Sequence, residues 1–109
     1  MLPVEYALPI ACDLTAIGSP EQQARHQALS ERLFSSALEV QELPDGYAFR
    51  FPAEYYTMVT AFIANERLCC PFFTFTLEVT PERGPLWMRL TGRDGVKAFL
   101  GAELANSPD

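Results

Sequence analysis

Residues 66–79 read E-R-L-C-C-P-F-F-T-F-T-L-E-V, and the fold turns on how they are read. Upstream of Pro71, apolar residues recur at helical spacing: Tyr55, Val59, Phe62 and Ile63. Downstream they alternate, with Phe73, Phe75, Leu77 and Val79 on one side and Thr74, Thr76 and Glu78 on the other. The period changes from 3.6 to 2 across one proline, a residue that cannot continue a helix. The spacing predicts a helix over 53–69 that feeds a strand over 72–79. A strand with one apolar and one polar face belongs to an antiparallel sheet covered on one side only.

The same patterns extend outward. Beyond the turn P-E-R-G-P, Leu86, Met88 and Leu90 alternate with Trp87, Arg89 and Thr91. A helix over 94–105 then uses Val96, Phe99, Leu100 and Leu104. On the other side, L-P-D-G separates 38–43 from 47–51, and Asp45-Gly46 is a hairpin signal. Ser19, Pro20 and Gln22 form a capping-box pattern with proline at the first helical position. They start a helix over 20–36 with Leu29, Leu33 and Ala37 on its buried stripe and His26 on the flank. Residues 4–14 alternate through Val4, Tyr6, Leu8, Ile10, Cys12 and Leu14, which predicts a first strand near a sheet edge. The expected order is β-α-β-β-α-β-β-α, an α+β two-layer sandwich. Its mostly antiparallel sheet carries helices on one face, in a single domain over 1–109, with 105–109 as a disordered tail.

A chain of 109 residues with eight phenylalanines, four tyrosines and one tryptophan can fill one core without staples. The net charge of −6, with one lysine, argues against a nucleic-acid backbone as partner. No apolar run approaches the roughly 20 residues of a membrane span, and the first residues lack a signal peptide's basic and apolar regions. Three cysteines cannot all pair, so the simplest expectation is a reducing cytoplasm with free thiols.

On a helical wheel, Glu66 falls near the middle of the arc defined by Tyr55, Val59, Phe62 and Ile63, with Cys70 four residues on. A carboxylate thus occupies a position where an apolar residue belongs, and there it must be protonated, paired or metal-bound. Three readings follow. In the first, Cys69 and Cys70, with Cys12 as a third thiol, bind a soft metal ion or metalloid, and Glu66 or His26 completes the shell. In the second, the cysteines are core residues, Glu66 pairs with Arg67, Arg25 or Arg32, and the exposed sheet face around Trp87, Arg50 and Arg89 docks a protein or a second copy of the chain. The third is a thiol enzyme, opposed by the partial negative charge at a helix C-terminus. No C-x-x-C, phosphate-binding glycine loop or H-E-x-x-H occurs. The first reading requires Cys12 to reach Cys70, which depends on a strand order that the sequence does not fix.

The run 66–79, the segment G-P-L-W-M-R-L-T-G-R-D-G-V-K-A-F-L at 84–100, A-C-D-L-T-A at 11–16 and L-P-D-G-Y-A-F-R-F at 43–51 resemble a family of small bacterial proteins of unknown function. The resemblance covers roughly residues 10 to 104. It implies cysteines where Cys12, Cys69 and Cys70 stand and an acid–arginine pair where Glu66 and Arg67 stand, so it supports taking the three thiols together. The family's T-G-P-E-G is here T-G-R-D-G, with Arg93 in place of a proline at the start of a helix.

Overall fold

A computed structural model describes residues 9–105. Helix α1 (Pro20–Ser35) opens with both arms of the capping box formed: the Gln22 backbone N–H donates to Ser19 Oγ, and the Ser19 N–H donates to Gln22 Oε1. A hairpin follows, β1 (Glu39–Leu43) and β2 (Gly46–Phe51), turning at Pro44-Asp45. At Gly46 the backbone runs against the Leu90 carbonyl, and a Cβ would collide with it. The turn therefore needs glycine for close approach. A 3-10 turn at Ala53–Tyr55 leads into α2 (Tyr56–Cys69). Then come β3 (Thr74–Val79), β4 (Leu86–Thr91) and α3 (Val96–Ala105).

The sheet is antiparallel throughout, in the order β1-β2-β4-β3. Its register places Phe49 opposite Met88 and Met88 opposite Leu77, with Phe51 opposite Leu86 and Leu90 opposite Phe75. These residues share one face. They form one core with Leu33 of α1, Val59 and Phe62 of α2, and Val96 and Leu100 of α3. The helices therefore lie on one side, as the alternation predicts. The opposite face carries Arg50 paired with Glu39 and Arg89 paired with Glu78. Trp87 lies half-buried on that face, between Arg50 and Glu78 in register. No helix among the described residues is long and apolar enough to cross a membrane.

The expected first strand is corrected where it can be seen. Residues 9–13 form no strand, and Leu14–Ala16 is a 3-10 turn capped by the Asp13 carboxylate, which accepts from the Thr15 N–H at 3.1 Å. The reason is tertiary. The Asp13 N–H donates to the Cys69 carbonyl at 2.8 Å, and Cys12 is bonded to Cys70. The segment spends its hydrogen bonding on the end of α2, whose last carbonyls lack helical partners, and not on a sheet edge. The expected strand's first half, residues 4–8, and most of the expected tail, 106–109, lie outside the described residues.

Candidate metal and thiol site

Helix α2 stops at Cys69 because Pro71 follows. Cys70 is its C-cap, with φ −127° and ψ 69°, and its N–H still donates to the Glu66 carbonyl. This change of direction separates the two neighbouring side chains. Cys69 stays on the helix three residues after Glu66, on the same face. Cys70 turns toward the segment before α1.

There it meets Cys12. The two form a disulfide across 58 residues of sequence, with Cα atoms 4.6 Å apart. The expectation of three free thiols is corrected: only Cys69 is free. Residue spacing alone does not reveal this pair, because the bridge links no two regular elements. It ties a loop to a helix cap. Cys69 and Cys70 are both sealed in the core, whereas Cys12 is exposed, so one end of the bridge is at the surface.

The third sulfur remains close. Cys69 Sγ is 3.6 Å from Cys70 Sγ and 3.5 Å from Glu66 Oε1. Burial and the Glu66 charge together push the Cys69 thiol up to about 12, and loss of its proton is correspondingly disfavoured. Among the described residues, all four candidate ligands read from the sequence, Cys12, Cys69, Cys70 and Glu66, come to one place, at the junction of α2 with the segment before α1.

Glu66 pairs with none of Arg25, Arg32 and Arg67. Its Oε1 is 2.7 Å from His26 Nε2, on α1. His26 is 3% exposed and stacks on the Phe62 ring, centroids 5.6 Å apart. Its placement on the flank of the stripe is corrected. At 100° per residue it lies within roughly 20° of Leu33, and Leu33 is fully buried. That wheel position was the available signal: the only histidine and an in-facing acid sit on the buried arcs of two helices that one core must bring together. His26 Nδ1 is buried and has no hydrogen-bond partner among the described residues. The ring also lines a cleft of about 280 Å³ with Ile17, Gln22, Arg25, Leu29 and Asn65. His26, Glu66 and Cys69 each offer a ligand atom, all within 4.8 Å of one another.

No family model, curated protein or solved structure matches the chain.

Proposed function

We propose that the protein binds a soft metal ion or metalloid through Cys12, Cys69 and Cys70, once its bridge is reduced. One observation carries this reading: Cys69 Sγ lies 3.6 Å from Cys70 Sγ, which is itself bonded to Cys12. Three sulfurs from two distant segments meet at one point. Three thiolates at about 2.3 Å from a common ion stand roughly 3.8–4.0 Å apart, so little rearrangement separates the reduced trio from a ligand set. Reduction consumes two thiols from outside and leaves Cys12 and Cys70 as thiols, with the external pair oxidised to a disulfide. Arsenite, As(OH)₃, then exchanges three hydroxyls for three sulfurs and releases three waters. Glu66 stands beside Cys69 to accept its proton or to complete the shell. The reading places the protein in the cytoplasm, where thiol pools can open an accessible bridge.

A second reading is favoured by the same distance: Cys69 attacks Cys70, Cys12 leaves, and the protein acts as a thiol–disulfide relay. It ranks lower because the Cys69 thiol, at about 12, is almost wholly protonated at neutral pH. A relay needs the thiolate as nucleophile, whereas a thiophilic ion displaces the proton as it binds.

The test is titration of phosphine-reduced protein with Hg²⁺ and with arsenite, followed by sulfur-to-metal absorption. Wild type is expected to bind one equivalent tightly. Cys12→Ser/Cys70→Ser and Cys69→Ser are expected to lose most of that affinity. Equal, weak binding in all of them removes the reading. Turnover of a small-molecule disulfide that depends on Cys69 would establish the relay instead.

A further inference from the structure

We infer that His26 Nε2, Glu66 Oε1 and Cys69 Sγ form a second, different site: one for a borderline divalent cation, zinc foremost, in the form of the protein whose Cys12–Cys70 bridge is closed. With the bridge closed, two of the three sulfurs are taken, and the soft trio does not exist. What remains is one imidazole, one carboxylate and one thiol, a mixed N/O/S set of the kind that suits zinc.

The geometry is near what such an ion needs. Ligand atoms at about 2.0–2.3 Å from a tetrahedral zinc lie roughly 3.3–3.6 Å apart. The carboxylate-to-sulfur distance is already 3.5 Å, the imidazole-to-carboxylate distance is 2.7 Å, and no pair exceeds 4.8 Å. Drawing the widest of these pairs in to that range would close the shell. The ligands sit on two packed helices and not on loops, with Glu66 and Cys69 one turn apart on α2. The charges also balance. A divalent cation meets one carboxylate and one thiolate, and the buried cluster becomes neutral, which lowers the penalty for enclosing it.

His26 Nδ1 supplies the independent observation. The nitrogen facing Glu66 must be free of hydrogen to ligate, which moves the ring proton to Nδ1. Nδ1 is buried, has no protein partner among the described residues, and belongs to a ring that borders the Gln22–Asn65 cleft. It is the nitrogen that an outer partner would take once the other one ligates. Metal-bound histidines regularly hand their second nitrogen to such an outer partner. Glu66, 17% exposed, is the least buried of the three and gives the ion its way in.

The experiment uses air-oxidised protein, with the bridge verified by mass and by a single reactive thiol after denaturation. Titrating Co²⁺ should produce tetrahedral visible bands and a thiolate-to-cobalt charge-transfer band, saturating at one equivalent and discharged by Zn²⁺. Cys69→Ser should remove the charge-transfer band, and His26→Gln should weaken binding at least about tenfold. Cys12→Ala/Cys70→Ala should keep both signals, although it destroys the three-sulfur site, so this inference and the soft-metal reading fail separately. X-ray absorption of zinc-loaded wild type depends on no variant and should show one sulfur with nitrogen and oxygen neighbours. Absence of bands in oxidised wild type at excess Co²⁺ overturns the site. So does a charge-transfer band that survives Cys69→Ser, or two or more sulfurs in the zinc shell.

Discussion

The protein holds its charged groups in two contrasting ways. On the open face of the sheet, Arg50–Glu39 and Arg89–Glu78 are cross-strand ion pairs at 3.1 and 3.3 Å, each with side chains a third or more exposed. Between α1 and α2, His26 and Glu66 meet at 2.7 Å with the histidine almost fully enclosed. The first pairs lie in water, which screens them and solvates either partner when the other is lost. The second has no such refuge, so removing one partner strands the other in a poorly solvated place. A polar pair retained inside an aromatic core, touching the free thiol, is where a function is most economically sought.

Stability measurements put that contrast to the test. The largest effect should come from the bridge beside the buried pair. Cys12→Ala opens a loop of 58 residues, and chain entropy sets the expected loss at about 4 kcal/mol, read from urea unfolding. A loss under about 1 kcal/mol would mean that the bridge does not constrain the unfolded chain.

Next comes His26→Ala, expected to destabilise by about 2–4 kcal/mol through the cavity beside Phe62 and the stranded carboxylate. His26→Gln, which can still donate to Glu66, should recover part of it. At the small end, Arg89→Ala should change stability by no more than about 1 kcal/mol. If His26→Ala and Arg89→Ala prove equal, the distinction between the two regions collapses.

The two regions should also respond to pH with opposite signs. Cys69 is raised from 9.0 to about 12 in the fold. Its contribution is fully present below the unfolded value and is lost as pH rises from about 9 toward 12, with a slope of at most about 1.4 kcal/mol per pH unit. Native-state alkylation of Cys69 should accordingly stay slow through pH 9. Glu39, held below its usual value by hydrogen bonds first from Gln41 and then from Arg50, behaves in reverse. Its stabilisation is present above the ordinary carboxylate value and fades as pH falls through and below 4.5. Unfolding curves for Glu39→Gln and Cys69→Ala against wild type separate the two. A Cys69→Ala protein with an unchanged alkaline limb would remove the thiol as its cause.

The helices and the four described strands could be read from local pattern because each is a local consequence. Ser19 and Gln22 cap α1 from three residues apart, Pro71 stops α2 wherever α2 packs, and alternation through Phe75 and Leu77 needs only one covered face. The alternation at 10–14 misled because a loop pinned at Cys12 and Asp13 can rest Ile10 and Leu14 against the core, with Cys12 itself exposed, without being a strand.

The residue types of the site were likewise visible in the sequence: three cysteines, and an acid at a buried helical position. Their partners were not. Periodicity fixes the inward side of each helix but not which helix lies opposite, or at what height along it. Whether Glu66 would face His26 or an arginine, and whether Cys70 would meet Cys12 or stay a thiol, depended on how α1 and the segment before it settle against the end of α2. That is a property of long-range packing, set when distant segments meet and carried by no single one of them.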